Sequence, residues 1–381
     1  MDVFINDIAA FLPNEPVTND EIENVLGKIN NISSRAKRIV LKNNKIETRY
    51  YAIDPASGRL THNNAQLTAE AIRKLRPYSG FDINSIQCLC CGTTSPDLLL
   101  PGHALMVLGE LGGPACEAVT TAGICISGMT AFKYAYMNVA TGMSGNAVAT
   151  GSDLSSSFMR EKYFTPFPGS DVDLEKNPIY AFDVDFLRWM LSDGAGAAYL
   201  SKENNQESIS LKVEWIENIS FAGTLETCMY AGGIKTDDGT MVGWREIERV
   251  DPESKPHLMS VRQDIKLLDK EIIGTMGRAL SAIIDKRCLE AKEIDWYLPH
   301  YSSAYFRQKF YDEMKRIGFE IPYEKWFTNL STTGNTGSAS IYIILEELFH
   351  SGRLRKGETL LCFIPESGRF SHCFMLLKVE E

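Results

Sequence analysis

The chain has 381 residues, 44% of them hydrophobic and 23% charged, which suits a soluble globular protein with one large core or two medium ones. Its formal charge of −10 argues against nucleic acid as the main partner, because neutralising phosphates takes a basic face. No run of about 18 apolar residues occurs, and the opening MDVFINDIAAF lacks the basic start and long apolar stretch of a signal peptide. A cytoplasmic location with no membrane span is therefore expected.

In chain order, SSRAKRIVLKNNK at 33–45 gathers Arg35, Lys37, Arg38, Lys42 and Lys45, either a solvated surface or a place to meet an acidic carrier or a phosphate. NAQLTAEAIRKL from residue 64 has helical spacing, and INSIQCLCCGTTSPD is a buried strand running into a polar turn. PGHALMVLGELG reads as a helix closed by Gly112 and Gly113, ACEAVTTAG as a strand, CISGMTAFKYAYMNVATG as a long apolar helix and NAVATGSD as another strand. Strands that are apolar throughout and alternate with helices predict a largely parallel sheet with helices on both faces.

After an irregular stretch at about 155–187, the grammar repeats. DGAGAAYLS at 193–201 is a strand, SVRQDIKLLDKEIIGTMGRALSAIIDKR a helix, IDWYLPH a strand into a turn, SASIYIILEELFHSG a helix, and TLLCFIPESGRFSHCFMLLKV a hairpin. The order of elements, more than any residue-level repeat, suggests two similar halves, 1–187 and 188–381.

The nine cysteines are scattered, and Cys88, Cys90 and Cys91 have no second cluster to complete a zinc site, so no metal is expected. Cys125 stands apart, in a run of small residues between a strand and the first turn of a helix. It is either core filler or a nucleophile whose thiol the helix N-terminus acidifies, with Gly123 and Gly128 keeping the turn and the helix face uncrowded. His300 follows a strand end, where parallel sheets handle their ligands, and a structural hydrogen bond is the alternative reading. Asn335 sits in the turn STTGNTGSAS before a helix; an asparagine there commonly serves its own backbone. Each lies at the edge of a βα unit, so the three are placed to converge on one pocket.

The ordered motifs CISG, DWYLPH and GNTGSAS, with GTTSPD and ATGSD upstream and DGAGAAYL between, resemble the thiolase-fold ketosynthases of the ketoacyl synthase III type along nearly the whole chain. Within that family the sequence looks most similar to the ketosynthase/cyclases of dialkylresorcinol and bacterial stilbene biosynthesis, the DarB and StlD type. The resemblance implies an α/β thiolase fold, with two βαβαβαββ halves stacked as a five-layer α-β-α-β-α core. It also implies a homodimer and a Cys125, His300 and Asn335 triad. An acyl group would pass from a carrier thioester to Cys125, its oxyanion held by the N–H groups of Cys125 and Gly368, and His300 and Asn335 would hold the carbonyl of a second thioester as its enolate attacks. Acyl carrier protein phosphopantetheine or coenzyme A thioesters would be the substrates, and no tightly bound cofactor is implied.

Three departures from the family pattern stand out. The glycine-rich last loop reads PESGRFS, leaving Gly368 as the only glycine to match, beside Ser367 and an Arg369 that is free in principle to face a carboxylate or phosphate. SSRAKR replaces the tryptophan expected to stack on coenzyme A, which favours an acyl carrier protein docked through Arg35, Lys37 and Arg38. ATGSD ends in Asp153 where many relatives have glutamate, making Asp153 the candidate base for closing a ring, or else a carboxylate that organises the turn.

The leading expectation is a condensing enzyme that joins an acyl group on Cys125 to a β-ketoacyl thioester and closes a cyclohexanedione or resorcinol-type ring. The alternatives are an initiating synthase that condenses decarboxylatively with malonyl carrier protein, an acyltransferase to an alcohol or amine, a non-catalytic partner subunit and a Cys-His-Asn protease. Met129, Leu98, Leu99 and Leu100 are the apolar residues expected near an acyl channel, and core packing explains each equally well.

Overall fold

The computed structural model describes residues 1–31, 33–34, 36–163, 186–249 and 258–380. Nine strands form a central sheet: β1 (Phe4–Phe11), β2 (Cys88–Thr93), β3 (Glu117–Ala122), β4 (Asn146–Asp153), β5 (Gly194–Ser201), β6 (Ser210–Ser220), β7 (Trp296–Pro299), β8 (Thr359–Glu366) and β9 (Ser371–Glu380). Their order across the sheet is β7-β8-β9-β6-β1-β5-β4-β2-β3. The helices that cover it are α1 (Lys37–Asn44), α2 (Asn64–Arg73), α3 (His103–Leu111), α4 (Ser127–Thr141), α5 (Ile265–Arg287), α6 (Tyr305–Arg316) and α7 (Ser340–His350).

The sheet is mixed, not largely parallel as the alternation suggested. Parallel pairing is confined to β2 with β3, β2 with β4, and β7 with β8, where helical crossovers return the chain to the same end. β1 enters between β5 and β6 antiparallel to both, and β8 turns directly into β9. The β1–β6 junction is only two residue pairs long, Phe4 with Lys212 and Ile5 with Leu211. It joins a first half-sheet (β3, β2, β4, β5, β1) to a second (β6, β9, β8, β7). β5 thus pairs within the first half-sheet, although the sequence reading placed it at the start of the second half.

Three apolar clusters make the layers. α2 and α3 cover one face of the first half-sheet through Leu67, Ile72, Ala104 and Val107. α4 and α7 lie between the two half-sheets, with Phe132, Val139, Ile341 and Leu348 packed against strand residues from both, including Val148's neighbours Ala147 and Ala149 and the β8 residues Leu360 and Cys362. α5 and α6 form the outer layer on the second half-sheet through Met276, Leu280, Phe310 and Met314. This is the five-layer thiolase arrangement. Its consequence for function is that the loops at one end of both half-sheets face each other across the sandwiched helices.

Candidate active site

Cys125 lies in the turn between β3 and α4, two residues before the helix. The Ile124 carbonyl accepts both the N–H and the Oγ–H of Ser127, at 2.9 and 2.7 Å, and Thr121 Oγ1 donates to the Ser127 carbonyl at 2.8 Å. These bonds fix the turn from within its own sequence. Gly128 is demanded by close approach, since a Cβ there would collide with the Ser338 carbonyl. Gly123 is under no such pressure, with its nearest neighbours at ordinary contact distance.

The Cys125 thiol does not have the lowered pKa that a helix N-terminus suggested. Burial, and then the charges of Asp153 and Glu366, push it well above the ordinary thiol value. Desolvation and the two carboxylates all act in the direction that favours the neutral thiol.

His300 follows β7 and extends its ladder, donating its backbone N–H to Phe363 O of β8 at 2.8 Å. It is buried, and burial lowers its pKa to about 4, so the imidazole is neutral at physiological pH. Asn335 is pinned through its backbone: its N–H donates to Met190 O at 2.9 Å and its carbonyl accepts from Ser192 N at 2.8 Å. Its Oδ1 accepts the Gly337 N–H at 3.0 Å. A backbone N–H demands an oxygen, which fixes the amide orientation and leaves the Nδ2 hydrogens as donors. Gly337 has φ +58°, and a Cβ there would also strike Asp153 Oδ2, so only glycine fits the turn.

Cys125, His300, Asn335 and Asp153 all line one cavity of about 300 Å³. Its polar end carries these four with Thr94, Ser95 and Ser302, and its apolar walls include Met190, Leu191, Leu268, Ile272, Phe306 and Phe310. The channel residues expected from sequence lie elsewhere. Leu98, Leu99 and Leu100 are 47%, 72% and 85% exposed, and Met129 is buried in the layer between the half-sheets. The walls come instead from the segment before β5 and from α5 and α6, whose inward faces are apolar at helical spacing.

Asp153, at the end of β4, is saturated with donors. Oδ1 accepts from Thr94 N at 2.7 Å, Ser95 Oγ at 3.3 Å and Thr93 Oγ1 at 3.4 Å; Oδ2 accepts from Ser338 N at 2.6 Å and Thr94 Oγ1 at 3.0 Å. It ties the end of β2 to the segment that carries Asn335. Burial nevertheless raises its pKa above the usual carboxylate value.

Gly368 is buried in the β8–β9 turn, one residue behind Ser367, which lines the cavity. Its carbonyl accepts from Cys228 N at 2.8 Å. Arg369 spends its guanidinium on the turn after β6, donating to Leu225 O through Nε at 3.1 Å and Nη2 at 2.7 Å. Of the basic residues expected to meet a carrier, Arg38 is exposed on α1. Lys37 faces Glu23 at 3.8 Å and lies over the Trp189 ring at 5.3 Å, while Arg35 is outside the described residues. Sequence reasoning missed Glu366, a buried carboxylate beside the nucleophile turn; its signal was an acid closing the otherwise apolar run TLLCFIP. Among the described residues, no group of three or more His, Cys, Asp or Glu side chains is arranged to hold a metal, and no helix is long and apolar enough to cross a membrane.

Residues 284–368, from the end of α5 to the β8–β9 turn, match the family described as 3-oxoacyl-[acyl-carrier-protein (ACP)] synthase III C terminal. A beta-ketoacyl-[acyl-carrier-protein] synthase III of Clostridium perfringens is 26% identical over 318 residues, 83% of each chain. A protein of the same name from Chlorobaculum tepidum is 22% identical over 367 residues, 95% of this chain and 94% of its own. Among solved structures, AbyA1, a tetronic acid condensing enzyme, superposes with a TM-score of 0.75 at 19% identity over 99% of both chains. Cerulenin-bound OleA of Xanthomonas campestris gives 0.73 at 19% identity, again over 99% of both. The chain has the thiolase-like fold of these solved structures; it is an acyltransferase of the carbon–carbon bond-forming type, similar over most of its length to 3-oxoacyl synthase III enzymes.

Proposed function

We propose that the protein is a ketosynthase/cyclase: it takes an acyl group onto Cys125, condenses it with a β-ketoacyl thioester, and closes a cyclohexanedione or resorcinol-type ring. The observation that carries this reading is that Cys125, His300 and Asn335 line one cavity, most of whose other lining residues are apolar. Cys125 exchanges its proton for the acyl group as the carrier thiol departs. Neutral His300 and the Asn335 amide donate to the carbonyl of the second thioester and stabilise its enolate, the charge that grows in the transition state. The N–H groups of Cys125 and Gly368 hold the acyl-cysteine oxyanion.

In this reading Asp153 sets the geometry of the pocket, because its five hydrogen bonds bind the two motifs on either side. The substrates are carrier protein or coenzyme A thioesters, no tightly bound cofactor takes part, and the enzyme works in the cytoplasm. Arg38 is the exposed cation for an acidic carrier; Lys37 serves Glu23 and Trp189 first. A second copy of the chain covers β3, an edge strand with exposed residues, together with the adjoining Leu98–Leu100 loop. Such a long apolar loop beside an open edge calls for a partner surface.

The test is product analysis. The protein is mixed with an acyl carrier thioester and either a β-ketoacyl or a malonyl thioester, and the released product is identified by mass. A cyclised product from the β-ketoacyl arm supports the proposal. An open-chain 3-oxoacyl product from the malonyl arm alone replaces it with decarboxylative synthase activity.

A further inference from the structure

The reaction proposed above has a requirement that decarboxylative condensation lacks. A malonyl thioester makes its carbanion by losing CO2, whereas a β-ketoacyl thioester must surrender a C2 proton to a base. Neutral His300 is assigned to donating, and Asp153 already accepts five hydrogen bonds, two of them from backbone N–H groups at 2.6 and 2.7 Å. A carboxylate so fully engaged is poorly placed to take up a further proton.

Glu366 is in a different situation. It ends β8, is 9% exposed, and lies against the nucleophile turn: Oε2 accepts the Ile124 N–H at a long 3.4 Å, and the Ile126 backbone N–H also faces the carboxylate. A Cβ built on Gly123 would lie 3.7 Å from Oε2, and one built on Gly368 would lie 3.0 Å from Oε1. The carboxylate therefore sits between the turn that carries the nucleophile and the turn that carries the second oxyanion donor. Glu366 is not itself a lining residue, but Gly123, Ile124, Pro365 and Ser367, its neighbours in sequence and space, all line the cavity. Its charge is felt at the Cys125 sulfur.

We propose that Glu366 is the base that forms the carbanion and the acid that restores the thiol. The step balances within the site. Glu366 takes the C2 proton of the β-ketoacyl thioester, and the electron pair passes to the thioester oxygen held by His300 and Asn335. C2 then bonds to the acyl carbon as the carbon–sulfur bond to Cys125 breaks. The proton on Glu366 passes to the departing sulfur, regenerating carboxylate and thiol. Burial raises the Glu366 pKa above the ordinary glutamate value, in the direction that strengthens the base.

This inference rests on Cys125 being the nucleophile, so the experiment separates the two. The wild type, Glu366→Gln and Glu366→Asp are loaded with an acyl carrier thioester, freed of excess donor, and mixed with a β-ketoacyl thioester while the loss of the acyl adduct is followed by intact mass. Glutamine keeps an acceptor for the Ile124 N–H, and thermal melting checks that each variant is folded. The expected result is an adduct that forms on Glu366→Gln but discharges at least about a hundredfold more slowly than on wild type, with Glu366→Asp in between. Equal discharge by folded Glu366→Gln and wild type overturns the role of Glu366. Failure of the wild-type adduct to discharge with the β-ketoacyl thioester overturns the function proposed above instead.

Discussion

The two ends of the cavity are built on different principles. At the polar end every group is pinned by backbone hydrogen bonds: the Cys125 turn by Ser127 and Thr121, Asn335 by Met190, Ser192 and Gly337, and Asp153 by donors from two motifs. The side chains of the apolar wall, among them Leu268, Ile272, Phe306 and Phe310, are held by packing. Chemistry that depends on distances of a few tenths of an ångström belongs at the first end. Accommodation of chains of different size belongs at the second, where a rotamer change costs little.

The largest expected effect breaks the polar end outright. Cys125→Ala should lower turnover at least about a thousandfold, because no other group there takes the acyl chain; steady-state assay measures it. His300→Ala and Asn335→Ala should each slow condensation about a hundredfold or more, the usual consequence of losing an oxyanion donor, while an acyl adduct still forms. Single-turnover discharge of that adduct separates the steps.

Asp153→Asn sharpens the comparison from the stability side. An amide cannot accept at both positions where Thr94 N and Ser338 N now donate, and one N–H is left facing an NH2. Unfolding in urea should show a loss of about 3 kcal/mol. At the other end, Phe310→Ala removes a ring packed edge-on against Phe363 at 5.3 Å. It should cost about 3 kcal/mol by thermal melting and lengthen the longest acyl chain found on Cys125 by intact mass, with little change in the discharge rate of short chains.

The smallest effect concerns protonation. Burial lowers the His300 pKa to about 4, whereas His350, bound to Asp7 and the Ile8 carbonyl, is raised to about 9. The His300 ring resonance should therefore keep its neutral shift down to about pH 5 in an NMR titration, while that of His350 moves near 9. The linked stabilities have opposite signs. The contribution of neutral His300 is complete above the unfolded value of 6.5 and is lost as pH falls toward 4. That of charged His350 is complete below 6.5 and is lost as pH rises through 9. A His300 signal titrating near 6.5 would mean that the polar end is wet.

The polar end was more legible in the sequence than the apolar one, for a physical reason. Cys125, His300 and Asn335 each follow a strand or precede a helix, and the punctuation of glycine, proline and small residues marks those ends. Phe306 and Phe310 sit at i and i+4 on α6, a helix that was not predicted because its other face, with Arg307, Lys309, Asp312 and Arg316, blurs the period. β6 was missed likewise, since SLKVEWIENIS carries charges on a strand made regular only by β9 beside it. The parallel reading failed because alternation reveals crossovers but not the antiparallel entry of β1. Glu366 went unseen because what makes it notable is the nucleophile turn against it, more than 240 residues earlier in the chain.

In the proposed reaction Cys125 is the point where the acyl chain is held. The most direct measurement is the intact mass of wild type and Cys125→Ala after incubation with an acyl carrier thioester. One acyl increment is expected on the wild type, mapping to the peptide that contains TTAGICISGM, and none on the variant. An equal increment on both proteins, or none on either with carrier protein and coenzyme A donors alike, would contradict it.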